Sequence, residues 1–248
     1  MNSTCLRAVV PLVLIPTAVI GLASYPILTL LLLSACAWWS LRTVRDRSRR
    51  KLFLLAAVFG TIGEAICVYG SWWTPDGRGL WIYLFPSPFG LALKLPIWLP
   101  LVWGNLFVLF ADLAKFISVR NGLPVRWPEA VRYPVVLIIM VYAGLLFRTI
   151  DVRILWVFTP FFAAFLLYWN APADLAVFIV AALLGSFGEL WAMRSGLWIY
   201  TKPLFRNEFL LALGIPGVPV SLPMAWGLSA VFLTRWAKDK DEAPHQVT

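Results

Sequence analysis

Ala8-Val-Val-Pro-Leu-Val-Leu-Ile-Pro-Thr-Ala-Val-Ile-Gly-Leu-Ala-Ser-Tyr-Pro-Ile-Leu-Thr-Leu-Leu-Leu-Leu-Ser-Ala-Cys-Ala-Trp-Trp-Ser-Leu41 contains no charged residue. As one α-helix, at about 1.5 Å per residue, it would extend roughly 50 Å. A bilayer's hydrocarbon core is only about 30 Å thick. Gly21 and Ser24-Tyr25-Pro26 supply a break, so the stretch reads as two spans, 8–23 and 26–41. Similar apolar stretches follow at 52–70, 95–114, 133–147, 154–170, 174–193 and 212–234. The expected fold is all-α: a polytopic transmembrane helix bundle of eight spans, or seven if the first stretch is one tilted segment.

Composition leads to the same class. Hydrophobic residues make up 61% of the 248-residue chain and charged residues 13%; soluble domains average roughly 45–50% apolar and about 25% charged. This excludes a soluble globular domain, a disordered tail and a collagen-like or disulfide-rich secreted fold. A membrane β-barrel would show alternating segments of about ten residues, and none is found.

Lys and Arg total 21 against 12 Asp and Glu, a net charge of +9. The excess lies in short connections, where basic residues mark the cytoplasmic side, so it reads as topology and not as a nucleic-acid surface. The run Arg42-Thr-Val-Arg-Asp-Arg-Ser-Arg-Arg-Lys51 is placed inside, with the 115–132 connection and the tail bearing Arg235, Lys238 and Lys240. Connections 71–94 and 194–211 then fall outside, and both termini are cytoplasmic, in a bacterial inner membrane. Cys5, Cys36 and Cys67 suggest no disulfide framework, and no apolar stretch precedes Cys5 to form a cleaved leader. His245, in the polar tail, is the single histidine. Haem, diiron and His-based zinc sites are therefore not expected, and neither a metal nor a cofactor is assigned.

The chain repeats itself. Gly60-Thr-Ile-Gly63-Glu64 returns as Gly185-Ser-Phe-Gly188-Glu189, and Gly79-Leu-Trp-Ile-Tyr83 returns unchanged as Gly196-Leu-Trp-Ile-Tyr200. Leu95-Pro96-Ile-Trp-Leu-Pro100-Leu-Val-Trp103-Gly104 matches Val218-Pro219-Val-Ser-Leu-Pro223-Met-Ala-Trp226-Gly227. Three blocks in one order divide the chain into membrane repeats 1–120 and 121–236, with a polar tail at 237–248. With eight spans, both Glu-bearing helices run from inside to outside. The halves are then parallel repeats with pseudo-twofold symmetry, and spans 3, 4, 7 and 8 line a cleft that opens outward.

Glu64 and Glu189 are the candidate catalytic residues. A carboxyl inside a span normally faces the bundle interior or a wet cavity, and desolvation favours the neutral acid, which can donate a proton. The structural alternative is an interhelical hydrogen bond, or a salt bridge to Arg194 or Arg78. Gly60/Gly63 and Gly185/Gly188 offer flat faces for close helix contact. Trp81, Trp103, Trp198 and Trp226 read either as interfacial belt residues or as an aromatic wall for a carbocation or polyene. Tyr83 and Tyr200 can hydrogen-bond a Glu. Pro96, Pro100, Pro219 and Pro223 suit helix first turns or exposed carbonyls, while Asn105 has no counterpart, since Leu228 follows Gly227.

Glu189, then Gly196-x-x-x-Tyr200, then Gly217-Val-Pro219-Val-Ser-Leu-Pro223-Met-Ala-Trp226 resembles the carotenoid hydratase-type membrane family, which includes bisanhydrobacterioruberin hydratases. The likeness covers about 40 residues of the second half and, more loosely, residues 64–104. The chain departs from the family pattern at Arg194-Ser-Gly-Leu-Trp198, where a Thr-Gly-x-Pro-Phe-Gly stretch is expected. The resemblance implies metal-free protonation of an isoprenoid double bond, followed by water addition or cyclisation. Glu189 would be the general acid and Glu64 its partner, with Trp198 and Trp226 shielding the cation. Two other classes stay open: a proton-coupled transporter or lipid-handling protein, and a non-catalytic subunit of a larger membrane complex. Expected partners are membrane lipids, an apolar isoprenoid-type substrate and membrane-complex neighbours, with no nucleic acid.

Overall fold

The computed structural model describes residues 3–42, 46–70, 79, 81–84, 94–121, 172–201, 212 and 222–237. These are mostly helical. Helix α1 is Ser3–Pro16, α2 Pro26–Arg42, α3 Arg47–Tyr69, α4 Leu99–Asn121, α5 Pro172–Arg194 and α6 Leu222–Ala237. Arg47–Tyr69, Leu99–Phe116 and Asp174–Arg194 are each long and apolar enough to cross a membrane, and Val9–Gly21 and Pro26–Arg42 are shorter apolar helices. The expected spans 133–147 and 154–170 lie outside the described residues, as do residues 238–248 of the tail.

The break in the first apolar stretch falls where the residues call for it. Pro16 has no N–H to donate into the preceding turn, and the helix widens into a π-helical turn over Thr17–Gly21. The buried Thr29 hydroxyl then fastens the corner. It donates to the Leu22 carbonyl at 2.6 Å and lies 3.3 Å from the carbonyls of Ala18 and Tyr25.

Other boundaries differ from expectation for local reasons. The basic run does not stay a connection up to residue 51, because Asp46 caps a helix inside it. Its carboxylate accepts from the N–H groups of Ser48 at 2.9 Å and Arg49 at 3.4 Å, so α3 starts at Arg47. Pro96 precedes α4, and Pro100 and Pro223 stand in the first turns of α4 and α6, where a missing N–H costs nothing. Pro219 is outside the described residues.

Among the described residues the helices are accompanied by one small two-stranded sheet, which the all-α expectation did not include. Trp81–Tyr83 (β1) and Trp198–Tyr200 (β2) pair antiparallel, with Trp81 opposite Tyr200 and Tyr83 opposite Trp198. Aromatic and β-branched residues suit a strand, and T-shaped Trp–Tyr contacts at 5.6 Å tie the two together at both ends of the pairing. Leu84 N–H donates to the Leu197 carbonyl at 2.8 Å, and the Thr201 hydroxyl donates to the Gly79 carbonyl.

Four helices form the centre: α3 packs on α4, α5 on α6, α4 on α5, and α3 on α6. Helices α1 and α2 pack on each other and on α4. In the middle the indoles of Trp103 and Trp226 stack at 4.8 Å with a 19° interplanar angle, and Phe107 and Phe110 pack around them. Ion pairs close the end of the bundle away from the strands: Arg49 of α3 with Asp112 of α4, and Asp174 of α5 with Arg235 of α6. Asp174, in the first turn of α5, does more than favour the helix N-terminus. It is almost fully buried, and Arg235 Nε donates to it at 2.9 Å.

Candidate functional site

Both carboxyls stand near the C-terminal ends of their helices, next to the paired strands. In a strand, alternate side chains share a face, so Trp81 and Tyr83 reach one carboxyl together. Trp81 Nε1 donates to Glu64 Oε2 at 3.0 Å and the Tyr83 hydroxyl donates to the same oxygen at 2.9 Å. The second clamp has the same construction: Trp198 Nε1 donates to Glu189 Oε2 at 3.0 Å, and the Tyr200 hydroxyl lies 3.5 Å from that oxygen. The indoles of Trp103 and Trp226 stand close enough to add a further hydrogen-bonding contact to Glu64 and Glu189 respectively. The partners the structure gives both carboxyls are neutral donors, not the salt bridge that stood as the alternative. Arg194 is exposed, and Arg78 is outside the described residues.

Burial, followed by the charge of Glu64, pushes the Tyr83 phenol well above its usual value. Burial and Glu189 do the same to Tyr200. Both phenols accordingly remain protonated donors at physiological pH. With N–H and O–H groups directed at Oε2, a proton carried by either acid resides on Oε1.

The glycines before each Glu have divided roles. A Cβ on Gly60 would strike the Trp103 indole, and one on Gly185 would strike the Trp226 indole. Those two positions let α3 close on the Trp103 indole of α4 and α5 close on the Trp226 indole of α6, which is the close helix contact expected of them. Gly63 and Gly188 would meet nothing within 4 Å. A second layer repeats the device, with Gly104 against the Phe53 ring and Gly227 against the Phe178 ring.

A largely apolar cavity of about 310 Å³ joins the two acids. Glu64, Tyr83, Trp103, Glu189, Trp198 and Trp226 line it, while Trp81 and Tyr200 support the carboxyls without lining it. Its walls are not those of the expected symmetric cleft. Leu12, Pro16 and Val19 come from α1 and the π turn, and most other residues come from α4 and α5. Spans 3 and 8 contribute only Glu64 and Trp226 from their helices. The α1 wall was not readable in the sequence, because its apolar side chains have no repeat partner or polar marker. The indole donors were missed as well, although Trp-x-Tyr spacing on a strand contains that signal. Asn105 lies outside the cavity and holds α4 to α2, its Nδ2 donating to the Leu33 carbonyl at 3.1 Å. Among the described residues no group of three or more His, Cys, Asp or Glu is arranged to hold a metal ion. No family model, curated protein or solved structure matches this chain.

Proposed function

We propose that this chain is an integral membrane enzyme acting on an apolar isoprenoid or carotenoid-like lipid, by Glu-mediated protonation of a C=C bond followed by hydration or cyclisation. The observation that carries the reading is the pairing of Glu64 and Glu189, each clamped by Trp and Tyr, on one apolar cavity. The resemblance of Glu189, Gly196-x-x-x-Tyr200 and the Gly217-to-Trp226 segment to the carotenoid hydratase-type family belongs to the same proposal. So do eight spans, cytoplasmic termini in a bacterial inner membrane, and descent from two parallel repeats. The matched clamps, matched glycine seats and matched ion pairs support the repeats.

The chemistry follows from the donor geometry. Glu189 transfers its Oε1 proton to one carbon of the double bond, and the other carbon becomes a carbocation. Trp198 and Trp226, which line the cavity, would shield that charge; a cation–aromatic interaction is worth about 2 kcal/mol or more when desolvated. For hydration, water adds to the cation and loses a proton to the Glu189 carboxylate left by the first step, with Glu64 orienting the water. For cyclisation, a neighbouring double bond closes on the cation, and a proton leaves an adjacent carbon to a carboxylate. Either route regenerates the acids without an external oxidant or reductant. A cavity of about 310 Å³ is near the lower limit for ligand pockets, which suits the reacting end of a long chain.

The test is conversion of a linear polyene in membranes containing the chain, with products separated by mass. Hydration or cyclisation that is lost in Glu189→Gln supports the proposal. Undiminished conversion in that variant contradicts it. Proton-driven uptake into proteoliposomes without chemical change would instead favour the transporter class.

A further inference from the structure

Gly63 and Gly188 occupy matched places before the two acids, and each has open space where a Cβ would stand. Gly188 lines the cavity and Gly63 does not. On α5 it sits between Phe187 and Glu189, and the cavity's α1 wall is made by Leu12, Pro16 and Val19. Helix α1 packs on α4 and α2, and α5 packs on α4 and α6. Among the lining residues only Leu12 of α1 and Phe187 and Trp191 of α5 are exposed, which puts the cavity's opening at the seam between α1 and α5. Leu12 is 40%, Phe187 60% and Trp191 43% exposed, whereas the α4 wall residues Leu99, Leu109 and Phe110 are buried. Glu189 apart, every residue named at the seam is apolar. Because α5 is long and apolar enough to cross a membrane, the surface at the seam is one that acyl chains would cover.

We propose that the apolar chain enters the cavity sideways from the bilayer through the α1/α5 seam, and that Gly188 is the specificity-determining position at this opening. The proposal rests on the reading that the substrate is an isoprenoid chain dissolved in the membrane. It also makes the two acids unequal. Glu189, beside Gly188 and partly exposed, meets the chain first, while the buried Glu64 stands behind it.

The test is photolabelling of the protein in phosphatidylcholine liposomes with a geranylgeranyl hydrocarbon bearing a terminal diazirine. Adducts are expected in peptides containing Leu12 to Val19 and Phe187 to Trp191. Gly188→Leu should lower that labelling roughly tenfold, equivalent to about 1.4 kcal/mol of lost binding. Gly63→Leu should leave it unchanged, and Leu12→Trp narrows the opening from the opposite wall in case Gly188→Leu does not fold. Full labelling in both narrowing variants, or adducts confined to residues away from the seam, would overturn the proposal. Labelling needs no turnover, so the two readings can fail separately. Seam labelling in a protein that converts no polyene rejects only the catalytic reading. Conversion that persists with the seam blocked rejects only the lateral route.

Discussion

Glu64 and Glu189 are held alike but placed differently. Each has an indole N–H and a phenol O–H on its Oε2, a glycine one turn earlier that seats a stacked Trp, and a second glycine layer below. The surroundings then diverge. Gly196 ends α5 in the left-handed region at φ 72°, with Gly196 N–H donating to Met193 and Leu197 N–H to Ala192, a Schellman closure. Its counterpart Gly79 instead lies against the Val68 carbonyl, where a Cβ would collide. The supporting ion pair also reverses sign, with Arg on α3 and Asp on α4 in one half, but Asp on α5 and Arg on α6 in the other. What the halves share is the carboxyl clamp and its packing. Access to the cavity is what separates them.

The largest expected effect comes from the shared centre. Trp226→Ala removes a buried indole from the aromatic stack and should cost about 3–5 kcal/mol of stability, measured by denaturation in detergent. A loss below about 1 kcal/mol would show that the stack is not the keystone of the comparison.

Reversing one ion pair probes the difference directly. Asp174→Arg places two cations together and should destabilise by about 3 kcal/mol or more. Adding Arg235→Asp recreates the polarity that Arg49 and Asp112 already use, and should recover most of the loss. A double variant no more stable than the single one would mean that the two halves are not interchangeable at this end of the bundle.

Gly60→Ala and Gly185→Ala each press a methyl group into a Trp ring, with an expected cost of about 1–3 kcal/mol apiece. Nearly equal losses would sharpen the match between the halves, and a loss in one alone would break it. The smallest contrast is in the phenols. Tyr83→Phe removes a 2.9 Å hydrogen bond and should cost about 1 kcal/mol. Tyr200→Phe removes a longer one at 3.5 Å and should cost less.

Much of this arrangement is legible in the sequence, though unevenly. The uncharged stretch from Ala8 to Leu41 displays its helices and its break, because Gly, Pro and bilayer thickness act locally. The repeated Gly-x-x-Gly-Glu and Trp-Ile-Tyr segments single out both acids and the residues that hold them. Other features are hidden for physical reasons. Strand pairing between β1 and β2 joins segments far apart in the chain, and a three-residue strand has too little period to be recognised alone. The ion pairs escape a comparison of residue types, since Arg49 and Asp112 correspond to Asp174 and Arg235 with opposite charge. The α1 wall is hidden because a helix that is apolar all round does not reveal which face meets a cavity.

Solvent-isotope labelling of the product tests the central claim most directly. Membranes containing the chain and a linear polyene are transferred to deuterated water, and the product is examined for deuterium bound to carbon. The account predicts one solvent-derived deuterium at the protonated carbon, lost together with product formation in Glu189→Gln. A hydrated or cyclised product without that deuterium, or equal labelling in the Gln variant, would contradict protonation by Glu189.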